Sequence, residues 1–224
     1  MNNFDWKQLL NPEFYILMEL GDVKIGLLVI LFIIFAETGL FAGFFLPGDS
    51  LLFLAGIYSE LLTQQIALGN DFANVVLLAS LVSVAGILGN MIGYWFGVKG
   101  GTYLYKKQDT FWFKEKYLLQ ARDFFDKYGG KAIIFARFLP IFRTFAPIVA
   151  GISSMNKQKF LFNNILGSIL WSFSMVLSGH YLSALFKETF GIDLKDHIEF
   201  IVLGIVLITT LPVLFKLLKK RIKI

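Results

Sequence analysis

The chain has 224 residues, of which 56% are hydrophobic and only 17% charged, with a mean hydropathy of +0.67. This excludes a water-soluble domain and predicts one all-α integral membrane domain, a multi-span helical bundle. The net charge of +5 gathers in particular loops, so it reads as a topology signal and not as a nucleic-acid footprint; the absence of cysteine excludes a disulfide, a thiol nucleophile and a cysteine metal site.

Residues 1–22 mix Phe4, Trp6, Leu9, Leu10 and Tyr15 with acids and predict an interfacial amphipathic helix. The start, MNNFDWKQLLNPEF, lacks the basic region and small-residue cleavage site of a signal peptide, so no cleavage is expected. From Lys24 to Leu46 Glu37 is the lone charge after the first residue, predicting a spanning helix from about Lys24 to Phe44. Pro47-Gly48-Asp49-Ser50 breaks it. Asp49 or Ser50 is placed to cap a second helix, Leu51 to Leu62, too short to span and suited to the return arm of a hairpin. Residues 24–62 thus read as a first span plus an outer re-entrant hairpin.

Phe72 to Val98 is a 27-residue run without a charge, long enough to cross a bilayer with tilt. Gly89, Gly93, Gly97 and Gly101 recur every four residues, a smooth stripe for close helix packing; Asn90 beside it is an isolated polar residue of weak meaning. Residues 99–131 form the main polar connection. They carry eight Lys and Arg against four acids, interleaved with aromatics, and predict one or two helices at the membrane surface.

The stretch Lys131–Ser154, KAIIFARFLPIFRTFAPIVAGISS, is apolar yet holds Arg137, Arg143, Pro140 and Pro147. A charge at the bilayer centre costs about 2.5–3.5 kcal/mol on insertion scales, and broken backbone survives there only inside protein or beside a wet cavity. Residues 131–156 therefore read as an inner re-entrant hairpin with its arginines aimed into a polar site. Phe160 to Phe186, with Asn163, Asn164, Trp171 and His180, is a second long span; Phe200 to Leu218 is the last, ending in a basic tail. The positive-inside rule puts residues 99–131 and the C-terminus in the cytoplasm and the 63–71 connection, free of Lys and Arg, outside.

The two hairpins are alike. Phe35-Ala36-Glu37, Phe45-Leu46-Pro47 and Ala55-Gly56-Ile57 recur as Phe135-Ala136-Arg137, Phe138-Leu139-Pro140 and Ala150-Gly151-Ile152. Opposed hairpins of this kind make a degenerate inverted repeat, whose binding site lies at the repeat interface. Pro47, Gly48, Pro140, Pro147 and Gly151 are the residues that shape it. Glu37 and Asp49 are candidate proton-relay carboxyls, with an arginine partner and a helix cap as their structural alternatives. Arg137 and Arg143 present planar forks matched to phosphate oxygens, or else form structural ion pairs with the two acids. His180 reads as a packed or hydrogen-bonding residue, with proton transfer as the alternative. No Ser-His-Asp pattern, P-loop or metal-ligand spacing is evident, so neither an enzyme, an ATP-driven pump nor a cofactor is expected.

The motifs Glu37-Thr38-Gly39-Leu40, Leu46-Pro47-Gly48-Asp49-Ser50-Leu51, Gly93-Tyr94-Trp95-Phe96-Gly97, Phe135-Ala136-Arg137-Phe138-Leu139-Pro140, Arg143-Thr144-Phe145-Ala146-Pro147 and Ala150-Gly151 resemble, in order and across residues 20–185, the DedA family, the bacterial branch of the VTT proteins. The resemblance implies an inner-membrane protein with two opposed re-entrant hairpins that depends on the proton motive force. It implies a role in returning undecaprenyl phosphate to the cytoplasmic face, with phosphatidylethanolamine movement or lipid scrambling among relatives. It also implies that Glu37, Asp49, Arg137 and Arg143 are functional. The expectation is thus a flippase whose partners are a membrane lipid and protons. The alternatives are a phospholipid flippase or scramblase, a proton-coupled carrier of small molecules or drugs, and a non-transporting scaffold. Oligomeric state is left open.

Overall fold

The computed structural model describes residues 12–20, 23–39, 48–66, 68–104, 123–198, 200–201 and 203–205. Among them the elements are helical except for a minimal antiparallel pair, β1 (Glu19–Leu20) and β2 (Val23–Lys24), with Glu19 opposite Lys24. This corrects the expected N-terminal helix beyond Ile16. Helix α1 covers Pro12–Ile16, residues 1–11 lie outside the described residues, and after Ile16 the chain turns into the β pair, where opposite charges face each other across the ladder.

Helix α2 is described over Gly26–Gly39; the rest of the expected span to Phe44 and residues up to Pro47 lie outside the described residues. Helix α3 (Gly48–Ile57) starts three residues earlier than expected, so Asp49 and Ser50 sit inside its first turn and not at the cap. A break at Tyr58 (φ −99°, ψ 21°) separates α3 from α4 (Ser59–Thr63). Helix α5 (Asp71–Leu104) and helix α8 (Lys157–Phe190) each have 34 residues, a rise of about 51 Å, against a hydrocarbon core of about 30 Å. Between them lie α6 (Lys131–Ala136) and α7 (Pro140–Ile152), which pack on one another across a three-residue link. Residues 123–128, 200–201 and 203–205 are also helical; most of the expected surface helices and of the last span with its basic tail falls outside the described residues.

The distribution of polarity is the reverse of a water-soluble protein. Glu37, Arg137 and Arg143 are buried, while Phe32, Phe135, Phe142 and Phe162 are exposed. Among the described residues, Asp71–Gly101 and Lys157–Phe190 are long and apolar enough to cross a membrane.

The chain divides into two compact units: Met1–Ile33, Pro47–Val82 and Ser172–Ile224 form the first, Ile34–Leu46 and Ser83–Trp171 the second. In the first, α1 packs on α3, and α3 meets the C-terminal part of α8 at glycines. A Cβ on Gly56 would lie 2.2 Å from the Val176 carbonyl oxygen, and one on Gly179 2.0 Å from that of Phe53. In the second, α7 meets the C-terminal part of α5 in the same way. A Cβ on Gly97 would fall 2.1 Å from the Ile148 carbonyl oxygen, and one on Gly151 2.2 Å from that of Tyr94. The glycine stripe is thus a close-packing surface. Phe125, Ile133, Ala150 and Phe160 form an apolar cluster beside it, and Tyr94 stacks on Phe160 at 4.3 Å.

Candidate functional site

The second unit holds the charges. The last turns of α2 carry Glu37 inward beside Thr38, whose hydroxyl bonds back to the Ile34 carbonyl at 2.9 Å. Thr38 occupies the gap left by Gly89, where a Cβ would lie 2.0 Å from its Oγ1. Helix α7 begins at Pro140, preceded by extended Leu139 (φ −117°, ψ 109°), so proline takes the first-turn position where its missing N–H is not needed. Pro147 inside α7 removes the donor that would bond the Arg143 carbonyl four residues back. Gly151 also lies within α7, where its lack of a side chain serves the contact with α5.

Arg143 forms a buried ion pair with Glu37. The exposures are 0% for Glu37, 3% for Arg143 and 1% for Arg137. Trp171, itself buried, places its ring 5.0 Å from the Arg143 guanidinium carbon and 5.6 Å from that of Arg137, a cation–π contact to both. Arg137 is held by neutral groups. Its Nη2 donates to the Gly86 carbonyl at 3.0 Å and to Asn164 Oδ1 at 3.2 Å. Gly86 and Gly167 make the room, since a Cβ on either would approach the arginine to 3.2 and 3.4 Å. Asn164 Nδ2 donates to the Ile87 carbonyl at 3.1 Å, and Asn90 Nδ2 donates to Asn164 Oδ1 at 2.8 Å. The Nε and Nη1 of Arg137 are buried with no acceptor among the described residues. Among the described residues, the Arg137 and Arg143 guanidiniums and the Glu37 carboxylate thus come together, and Arg143 and Glu37 act electrostatically on Arg137.

The structure brings Glu37, Arg137 and Arg143 together. Asp49 lies half-buried in the first turn of α3, in the other unit, where a carboxylate suits the positive helix end. Sequence reasoning passed over Asn90, Asn164, Trp171 and Gly86 as site residues; an amide in an apolar helix was the available signal. The first unit also aligns three side chains that no sequence pattern connected. Ser59 Oγ is 3.0 Å from His180 Nδ1, and His180 Nε2 is 3.0 Å from Asp71 Oδ2. His180 is therefore a hydrogen-bonding residue tying α4, α5 and α8. Among the described residues no group of three or more His, Asp or Glu is placed to hold a metal.

The VTT domain model matches residues 46–181, which include every site residue except Glu37. Protein DedA of Escherichia coli K12 is 32% identical over 214 residues, covering 95% of this chain and 92% of that protein. An uncharacterised membrane protein of Mycobacterium leprae is 37% identical over 205 residues, covering 92% of this chain and 85% of its own length. The inner membrane protein YghB of Escherichia coli K12 is 30% identical over 218 residues, covering 93% and 92%. No solved structure matches. Buried charges, lipid-length apolar helices and these relatives agree: the chain is a bacterial membrane protein of the DedA family, built around a VTT domain.

Proposed function

We propose that this protein is a flippase of the bacterial inner membrane, driven by the proton motive force, that returns undecaprenyl phosphate to the cytoplasmic leaflet. It acts as a transporter and not as an enzyme. The observation that carries the reading is the fully buried guanidinium of Arg137, beside the Arg143–Glu37 pair, with N–H groups that find no acceptor among the described residues. An unmatched buried cation is costly unless an anion joins it, and a guanidinium fork fits phosphate oxygens.

The Arg143–Glu37 pair supports proton coupling. A proton taken up by Glu37 cancels the charge that neutralises Arg143, and both arginines then attract the phosphate. Loss of the proton restores the pair and releases the anion. Proton and phosphate thus strengthen each other's binding, as linkage requires. In this proposal Asp49 is the second relay carboxyl, the α6–α7 pair is a hairpin entered from the cytoplasm, and the C-terminus is cytoplasmic. Gly56 of the first Ala-Gly-Ile motif rests on α8, and Gly151 of the second rests on α5. Each motif thus leans on the long helix of the other half, in keeping with a degenerate inverted repeat.

A phospholipid phosphate offers the same oxygens to the arginines and is the second reading. The positive site disfavours a cationic drug or solute. The test is headgroup sidedness in vesicles holding the purified protein and defined lipid phosphates, with and without a pH gradient. The expected result is gradient-dependent movement of undecaprenyl phosphate that is lost in Glu37→Gln. Movement of phosphatidylethanolamine alone would favour the second reading, and no lipid movement at all would sink both.

A further inference from the structure

The hydrogen-bond directions around Asn164 are settled by what its neighbours lack. Arginine has donors only, so the Asn164 atom 3.2 Å from Arg137 Nη2 is the oxygen. The Ile87 carbonyl has only lone pairs, so the atom 3.1 Å from it is the Asn164 amide nitrogen. Asn90 therefore turns its own nitrogen toward Asn164 Oδ1, at 2.8 Å. Its Oδ1 faces away, buried, with no donor among the described residues, just as Arg137 Nε and Nη1 have no acceptor there. Asn90 and Arg137 are each 1% exposed and Asn164 is 0% exposed, so bulk water does not satisfy these groups. Native structures leave few buried polar atoms unpaired, and such an atom costs more than a hydrogen bond contributes.

Around Asn164 the unpaired atoms have a definite chemistry: two cationic donor nitrogens on Arg137 and one neutral acceptor on Asn90. A bare oxyanion pairs with the arginine and leaves the asparagine unmatched. We infer that Asn90 is a specificity-determining residue and that the site takes an oxyanion headgroup carrying its own hydrogen-bond donor. An oxyanion oxygen accepts from Arg137 Nη1, and the headgroup hydrogen is donated to Asn90 Oδ1. Asn164 is the positioning residue, since it orients both. The inference rests on the lipid-phosphate reading above and narrows it. Two headgroups qualify: a phosphate monoester as its monoanion, through P–OH, and an ethanolamine diester, through its ammonium. A methylated monoester and a choline diester lack that hydrogen.

The test is tryptophan-fluorescence titration of the purified full-length protein with matched pairs. One pair is dodecyl phosphate and dodecyl methyl phosphate; the other is short-chain phosphatidylethanolamine and phosphatidylcholine. Preference for the first member of at least one pair, by about tenfold, is expected at pH 5.5. Which pair shows it identifies the donor as hydroxyl or ammonium. A hydroxyl preference shrinks to about twofold by pH 9, because the second phosphate ionisation, near pH 6, removes the hydrogen. An ammonium preference persists to pH 8. Asn90→Ala should abolish the preference within each pair, a ratio in which any shared change at Arg137 cancels. Asn90→Ser should retain part of it. If Asn90→Ala does not fold, the ligand pairs and the pH series still decide with the unmodified protein. Equal binding within both pairs, or a full preference surviving in Asn90→Ala, overturns the role of Asn90 and leaves the lipid-phosphate reading standing. Binding of none of the four overturns that reading itself.

Discussion

The two arginines that look equivalent in the chain have different surroundings. Arg143 is paired with Glu37, whereas Arg137 is held by a backbone carbonyl and an asparagine. Removing one partner of a buried ion pair leaves the other uncompensated, at about 3–5 kcal/mol. We therefore expect Glu37→Ala and Arg143→Ala each to lower stability by about that much, and the double variant to lose clearly less than their sum. Chemical unfolding in detergent checks this; additive losses would show that the pair does not couple. Arg137→Lys tests the other arginine. A lysine keeps the charge but has no fork to span the Gly86 carbonyl, Asn164 and a phosphate. We expect near-normal expression and lipid-phosphate transport down by at least about tenfold, read in the vesicle assay. Unchanged transport would show that charge alone suffices there.

At the scale of elements, glycine contacts decide how close the helices approach. A Cβ on Gly97 would strike the Ile148 backbone at 2.1 Å, while one on Gly100 meets nothing within 4 Å. Alanine is the better helix former by about 1 kcal/mol, so Gly100→Ala should be neutral or slightly stabilising and Gly97→Ala strongly destabilising. Melting temperatures of the two variants, measured side by side, make the comparison; a harmless Gly97→Ala would mean that α5 and α7 are not packed through this glycine. At the end of α8, Asp193 caps a short 3-10 helix, Leu194–His197. The Lys195 backbone amide, then the Lys187 ammonium, hold its carboxyl below the usual aspartate range. With the folded value depressed, its contribution is present above about pH 4, where aspartate ionises in the unfolded chain. It is lost as pH falls through the lower folded value. Hydrogen exchange of residues 194–197, corrected for intrinsic pH dependence, should accelerate on acidification in the wild type. Asp193→Asn should show no such step.

For the whole molecule, topology is the open prediction. The chain has no cysteine, so single cysteines report cleanly. One replacing Gln64 should react with an impermeant reagent from outside, and one replacing Lys114 or Lys220 only after permeabilisation. Outside labelling at Lys114 would reverse the proposed orientation. Much of the architecture is local in origin and so legible in the chain: composition sets the membrane class, the uncharged runs give α5 and α8, and Pro140 starts α7 where a proline belongs. The charges of the site were legible for the same reason, since Glu37, Arg137 and Arg143 stand out against apolar neighbours. The β pair after α1 was not, because a cross-strand partner is not written into a short amphipathic segment. An ion pair between Glu37 and one of the arginines was among the expectations, but that it is Arg143, 106 residues away, was not legible, nor was the partnership of Asn90 with Asn164, 74 residues away. Hydropathy and backbone breaks are properties of neighbouring residues and can be read in order. The pairing of buried polar groups depends on how far each helix is rotated about its axis, and glycine contacts between distant segments set that rotation only in the folded chain.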